Sequence, residues 1–237
     1  LLNQIDTIVL GGFCTKEKGF VVARKKDQKR YYYDHEPYYA KICCEGGTGW
    51  PIESEVSQRF LLKWAREQIF PEYATILEVG CGGGELAIEL AKRGLKIEAC
   101  DLSETAIRIC QSKNPPENLV FFAANAMTHK GYPNPPYDWI IANQVLQNII
   151  GGDRVFLLKR MRENLTTTGT IVVSTMLGVP EKYKEEFNPI TFVNKTNTRF
   201  FADLRMFAKE IAEARLKVTR HIKIDDHYRI FFLERLP

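Results

Sequence analysis

Thr75-Ile76-Leu77-Glu78-Val79-Gly80-Cys81-Gly82-Gly83-Gly84 is the stretch that decides the fold. Its first five residues form an apolar run of the length of a buried strand. A dense set of glycines follows at once. Glycine lets a backbone turn sharply and approach a ligand closely. Leu86 to Arg93 then reads as a helix. A strand, a glycine turn and a helix in that order open a parallel α/β sheet. Such sheets bind ligands in the crevice beyond the carboxyl ends of their strands.

The same rhythm repeats downstream. Lys96 to Asp101, Leu119 to Ala123, Asp138 to Ala142 and Thr170 to Ser174 read as strands. Ser103 is placed to cap a helix through Ser112, with Ala106, Ile107 and Ile109 inward. Asp153 is expected to cap a helix from Val155 to Leu165, with Leu158 and Met161 on one face. Strands alternating with helices imply a parallel sheet covered on both faces. The end of the chain breaks the rhythm. A helix from Phe201 to Leu216 carries Leu204, Phe207, Ala208 and Ile211 as its apolar stripe. Two strands follow, Lys217 to Ile224 and Tyr228 to Leu233. Asp225-Asp226-His227 is too short for a parallel crossover, so these strands form an antiparallel hairpin.

Upstream, Pro51 opens a helical pattern to Phe70, with Val56, Phe60, Leu61 and Trp64 as its apolar face. Residues 1–50 differ in composition and form an arm, whereas 51–237 form the α/β domain. Within the arm, Ile8-Val9-Leu10 and Phe20-Val21-Val22-Ala23 are candidate paired strands. The chain has 237 residues, 45% of them hydrophobic and 26% charged, and these are ordinary globular values. No run approaches the ~20 apolar residues of a membrane span. The net charge is +4. Between Thr15 and Arg30, seven basic residues, Lys16, Lys18, Arg24, Lys25, Lys26, Lys29 and Arg30, stand against Glu17 and Asp27. The basic balance thus belongs to that part of the arm. The six cysteines include no C-x-x-C pair, which argues against a zinc site. Cys81 and Cys100 lie in apolar runs, and free thiols there imply a reducing, cytoplasmic setting.

The glycine loop fits two frames. Gly82, Gly84 and Ala87 spell G-x-G-x-x-A, a dinucleotide fingerprint. Glu78, Gly80, Gly82 and Gly84 spell E-x-G-x-G-x-G. Asp101 ends the second strand, 21 residues after Gly80, and suits ribose hydroxyls in either frame. Glu78 places a carboxylate beside the loop, which suits a cationic cofactor, and the terminal hairpin favours the second frame. With those features the chain resembles class I S-adenosylmethionine-dependent methyltransferases of the small-molecule type, from Trp50 to Leu236. The resemblance implies a Rossmann-like, mostly parallel seven-stranded sheet whose last strand is antiparallel, with helices on both faces. It also implies S-adenosylmethionine as cofactor and S-adenosylhomocysteine as product.

By that resemblance Glu78, Gly80, Cys81, Gly82 and Gly84 form the cofactor loop. Asp101 holds the ribose and Leu102 packs on adenine. Asn125, Ala126 and Met127 match the adenine-contacting motif, with Asn125 where Asp is commoner; an amide oxygen can still accept a hydrogen bond. Asn143-Gln144-Val145-Leu146-Gln147-Asn148 resembles the family's N-E-V-L-E-H stretch, and Asn143 and Gln144 join the cofactor contacts. Gln147 and Asn148 replace acid and His. No catalytic base is assigned; amine, thiolate or carboxylate acceptors need none. Asn134-Pro135-Pro136-Tyr137 spells the box of adenine and glutamine methyltransferases. It precedes the fourth strand instead of following it, and reads as a turn.

The Tyr-rich run Tyr31 to Tyr39 resembles a lid that closes over the site and excludes water. Tyr39, Trp50, Gln147 and Arg199 are the candidate substrate contacts. Leu177 to Arg199 is long for a plain connection, which marks it as functional. Arg199 there either forms a surface ion pair or holds a substrate carboxylate or phosphate. His129 is a candidate for the mouth of the site. The expected partner is a small-molecule acceptor, with no membrane, and the expected state is a monomer or weak dimer. Nucleic acid is a less favoured partner, through the basic arm. The rival readings are an RNA or protein methyltransferase that uses the arm, and a cofactor-binding subunit without turnover. A nicotinamide oxidoreductase ranks behind both.

Overall fold

A computed structural model describes residues 35–47, 56–194 and 199–237. The arm's basic cluster, its two candidate strands and Trp50 lie outside the described residues. The strands are β1 (Thr75–Val79), β2 (Lys96–Asp101), β3 (Leu119–Ala123), β4 (Tyr137–Asn143), β5 (Leu165–Met176), β6 (Phe187–Asn188), β7 (Val193–Asn194), β8 (Leu216–Lys223) and β9 (Tyr228–Arg235). The α-helices are α1 (Glu36–Cys44), α2 (Val56–Glu67), α3 (Glu85–Ala91), α4 (Glu104–Ser112), α5 (Asp153–Glu163) and α6 (Leu204–Glu213).

Seven strands form one sheet in the order β3-β2-β1-β4-β5-β9-β8. The strands from β3 to β5 are parallel, and β9 runs antiparallel between β5 and β8. This is the expected Rossmann-like sheet with its reversed terminal strand. The chain steps from β1 outward to β3, then returns to place β4 on the other side of β1. The switch point therefore opens between β1 and β4, where α/β sheets bind ligands.

Alternation along each strand feeds two cores. On one face Leu77, Val79, Ile140, Ile171 and Val173 pack with Leu158 and Met161 of α5 and Phe207 and Ile211 of α6. On the other, Ile76, Ile97, Ile141 and Val172 pack with Leu61 and Trp64 of α2, Leu86 and Leu90 of α3 and Ile107 of α4. Both faces of a parallel sheet must be covered, because its strands are apolar on both sides.

Several local expectations are corrected. Val56 is exposed, and the buried side of α2 is Ser57, Leu61, Trp64 and Ala65. In α6 only Phe207 and Ile211 of the expected stripe are buried, while Leu204 faces solvent. Gly152 holds the N-cap position of α5, and Asp153 is its first helical residue. Cys81 is buried, but in the loop after β1, whereas Cys100 lies within β2. Strand β5 begins at Leu165, earlier than expected, because Leu165 pairs with Tyr137 across a register shift. Ser103 does cap α4, accepting from Ala106 N at 3.0 Å. Among the described residues, no helix is long and apolar enough to cross a membrane.

Candidate active site

One cavity lies at the carboxyl ends of β1, β2 and β4. Its lining includes Glu78, Gly80, Cys81, Gly82, Asp101, Leu102, Asn125, Ala126, Met127, Asn143 and Gln144. Tyr39, Gln147 and Arg199 line it too. The fold thus gathers into one cavity residues from both ends of the described chain, Tyr39 and Arg199 among them. Gly84 and His129 stand apart from that lining. Gly84 opens α3 at φ +79°, where a Cβ would stand 2.6 Å from the Phe121 ring and 2.9 Å from Cys110 Sγ. Its place in the fold is one of close helix packing.

The glycine loop is shaped by backbone need at Gly80. Gly80 has φ +69°, and a Cβ there would stand 2.5 Å from Val145 Cγ2. Neither the left-handed conformation nor the space admits a side chain. Asp101 fixes the loop from the next strand. Its Oδ2 accepts from Gly82 N at 2.9 Å, and its Oδ1 accepts from Ser103 N at 2.9 Å. Cys110 Sγ donates to Gly82 O at 3.1 Å from the other side.

Glu78 is buried, and its Oε2 has neither solvent contact nor a hydrogen-bond partner. Burial, with the Glu85 and Asp101 carboxylates nearby, pushes its pKa up to about 8. Burial likewise raises Asp101 above the ordinary carboxylate value, against hydrogen bonds from Ser103, Gly82 and Leu102 that lower it. A buried carboxyl with an unsatisfied oxygen and acidic neighbours is a site matched to a cation. The sulfonium and ammonium of S-adenosylmethionine fit that requirement.

The next wall is built of amides. Asn143 Nδ2 donates to Gln58 Oε1, and Asn143 Oδ1 is buried without a partner. Gln144 takes φ +57° and its Nε2 donates to Ser57 Oγ at 2.6 Å. These bonds tie α2 to the end of β4. Gln147 is almost wholly buried. Its Oε1 accepts from Met176 N at 3.0 Å and its Nε2 donates to Gln144 Oε1 at 3.0 Å. Its groups therefore brace the end of β5 as well as facing the cavity. Asn125 Oδ1 accepts from Met127 N at 2.9 Å, which folds the turn after β3. Asn134-Pro135-Pro136-Tyr137 is a turn into the amino end of β4, at the opposite end of that strand from the cavity. There Tyr137 Oη and Asn134 Nδ2 both donate to Glu98.

The Tyr-rich run supplies α1. Glu36 accepts from Ser103 Oγ at 2.5 Å and from Thr105 N at 3.2 Å, which pins α1 to the first turn of α4. A carboxylate at a helix N-terminus is stabilised there, and the Ser103 and Thr105 bonds hold Glu36 below its ordinary pKa against the opposing effect of burial. Tyr39 is buried against Ala106 and Ile109. His35 and Gln58 also line the cavity, and sequence reasoning missed both. Glu-Pro at the start of α1 was the available signal, since Pro suits the first helical turn. Among the described residues, no group of three or more His, Cys, Asp and Glu is placed to hold a metal.

Comparison with known proteins agrees with this geometry. Residues 76–169 match the family model of a methyltransferase domain. The ribosomal protein L11 methyltransferase of Campylobacter lari is 33% identical over 124 residues. That match covers 49% of this chain and 40% of the relative. The chain thus spans well under two thirds of that relative's length. Among solved structures, the CcbJ methyltransferase of Streptomyces caelestis superposes with a TM-score of 0.64 at 16% identity, covering 86% of this chain and all of that one. The magnesium protoporphyrin IX methyltransferase of Synechocystis PCC 6803, solved with bound S-adenosylmethionine, gives 0.56 at 16% identity, covering 75% of this chain and 77% of that one. The fold is that of class I methyltransferases. Residues 76–169 carry the sequence pattern of a methyltransferase domain.

Proposed function

We propose that this protein transfers the methyl group of S-adenosylmethionine to a small-molecule acceptor by direct displacement. The observation that carries the reading is the composition of the cavity. Acidic groups gather at the glycine loop, and neutral amides form the wall beyond β4. The cofactor supplies a reactive sulfonium carbon; the chain supplies alignment and water exclusion.

In this reading Glu78 ionises against the cofactor's cationic end, and its unsatisfied Oε2 gains a partner. Asp101 offers the lone pairs left over from Gly82 and Ser103 to the ribose hydroxyls. Gly80, Cys81 and Gly82 give close backbone approach, and Leu102, Asn125, Ala126 and Met127 surround the adenine. Asn143 and Gln144 complete the cofactor contacts. Tyr39, which packs on α4, and Gln147, which braces the end of β5, are the proposed acceptor contacts. Asn143, Gln144, Gln147 and Asn148 include no proton acceptor of useful basicity. That stretch favours an acceptor atom that arrives with its own free electron pair, as an amine, thiolate or carboxylate does, while His35 is the one imidazole among the described lining residues.

The magnesium protoporphyrin IX methyltransferase neighbour supports a small-molecule acceptor. The ribosomal protein methyltransferase relative favours a second reading, a protein acceptor. Calorimetry with S-adenosylmethionine and S-adenosylhomocysteine tests the cofactor. Transfer of labelled methyl to a metabolite panel, to bulk protein and to RNA separates the acceptors. No cofactor binding overturns the reading, and label in protein or RNA alone replaces it with its rival. Tight cofactor binding without any labelled product points to a subunit lacking turnover.

A further inference from the structure

Nothing among the described residues neutralises Arg199. Its Nη1 is shut off from solvent and has no hydrogen-bond partner. Among the described residues it forms no ion pair. The guanidinium lies 5.9 Å from the centroid of the Tyr183 ring, and it lines the cavity. Its backbone is well fixed. Arg199 N donates to Asn194 Oδ1 at 3.0 Å, and Asn194 N donates to Arg199 O at 3.2 Å. The next residue, Phe200, donates its N–H to Gln147 O at 2.7 Å.

Burying part of a guanidinium without a partner is costly. An oxyanion removes that cost, and the planar fork of arginine fits carboxylate and phosphate groups with two bonds at once. The cavity is also polarised across the sheet. Asp101 and Glu78 stand at the ends of β2 and β1. Arg199 stands beyond β4, beside Gln147, whose Oε1 holds the end of β5. Among the described lining residues, Arg199 is the one lysine or arginine. A cationic cofactor and an anionic co-substrate would each meet the opposite charge at opposite sides.

We propose that Arg199 sets acceptor specificity: the acceptor is a small molecule bearing a carboxylate or phosphate, which the Arg199 guanidinium holds. This rests on the small-molecule methyltransferase reading and names the substrate class for that site. Tyr39, Ile149 and Leu157 also line the cavity, so an anion on an apolar body suits it best.

The test is calorimetry on the whole chain, with and without saturating S-adenosylhomocysteine. The probes are benzoate, phenyl phosphate and benzamide. Wild-type protein should bind at least one of the two anions, and benzamide at least tenfold more weakly. The preferred anion tells carboxylate from phosphate. Arg199→Gln should lose anion binding at least tenfold, and Arg199→Lys should keep part of it. All three proteins should bind S-adenosylhomocysteine within twofold of one another, which shows that the variants fold. Absence of binding by both anions, equal binding of benzamide, or unaltered anion binding in Arg199→Gln overturns the proposal. Failure of the wild type to bind S-adenosylhomocysteine overturns the underlying reading instead.

Discussion

The Asp101 carboxylate holds the Gly82 N–H at 2.9 Å, so the end of β2 sets the position of the loop after β1. Asp101→Ala removes this bond together with the one from Ser103 N. Hydrogen bonds to a charged group are worth ~1.5–3 kcal/mol each. Cofactor affinity should fall at least tenfold in calorimetry, and thermal stability should drop as well. Asp101→Asn retains an oxygen for one of the two donors and should lie between Ala and wild type. Unaltered cofactor affinity in Asp101→Ala would remove this residue from the binding site.

Glu78 sets a pH dependence. Its ordinary pKa is 4.5 and its folded value is about 8. Below 4.5 both states hold the proton, so Glu78 adds no pH dependence there. Between those values unfolding releases a proton. Stability should therefore decline as the pH rises across that window, and level off above about 8. Glu78→Gln should flatten the decline relative to wild type in urea melts run from pH 5 to 9. Cofactor binding should show the opposite trend. A cationic ligand favours the ionised carboxylate, so affinity should rise with pH up to about 8, and Glu78→Gln should abolish the rise.

Gly80 tests the close approach of two turns. Gly80→Ala forces a side chain into φ +69° and against Val145 Cγ2. Strain at such a position costs ~1 kcal/mol or more before the clash is counted. The variant should melt lower and bind cofactor more weakly. Adding Val145→Ala should relieve the clash but leave the backbone strain, so the double variant should recover only part of the loss.

Arg154 links the cavity's amide wall to the last helix. It has no exposed surface, and it pairs with Glu210 through Nε–Oε1 at 2.7 Å and Nη2–Oε2 at 2.9 Å. Its Nη1 donates to Leu146 O, and its guanidinium lies 5.0 Å from the Phe200 ring centroid. Glu210→Ala leaves a buried cation unpaired, which should cost ~3–5 kcal/mol in chemical denaturation. Replacing both partners, as in Arg154→Met with Glu210→Leu, should cost less than Glu210→Ala alone. A smaller loss for the single variant than for the pair would contradict this account.

The sheet was legible because its signals are local. Each strand from β1 to β5 announces itself as an apolar run, and three residues between Ile224 and Tyr228 force the antiparallel hairpin. The glycine loop and Asp101 were legible for the same reason: strand ends and spacing place them. What escaped is what packing decides. Val56 belongs to the apolar pattern of α2 yet faces solvent, while Ser57 turns inward to reach Gln144. Gln58 reaches the cavity only because α2 docks beside β4. Helix α1 hid inside a Tyr-rich run because its nine residues are held by Glu36 on α4 more than by any strong apolar stripe. The unpartnered state of Arg199 is a property of its surroundings, and no single-residue pattern encodes it.

The pin between Glu36 and α4 bears on how this cavity can be built in pieces. The segment that matches the methyltransferase-domain family ends long before β8 and β9, and it begins after both α1 and α2. Expressed by itself it would cut β5 after Gly169, before the residues that pair with β9 and most of those that pair with β4, and leave β4 with a bare edge open to pairing with other chains. It would also lack Tyr39, Gln58 and Arg199. For grafting or chimera work the smallest useful module is therefore not the recognisable one. It has to run from the residues around Glu36 through Arg235, because the pocket's walls are contributed by chain on both sides of its floor.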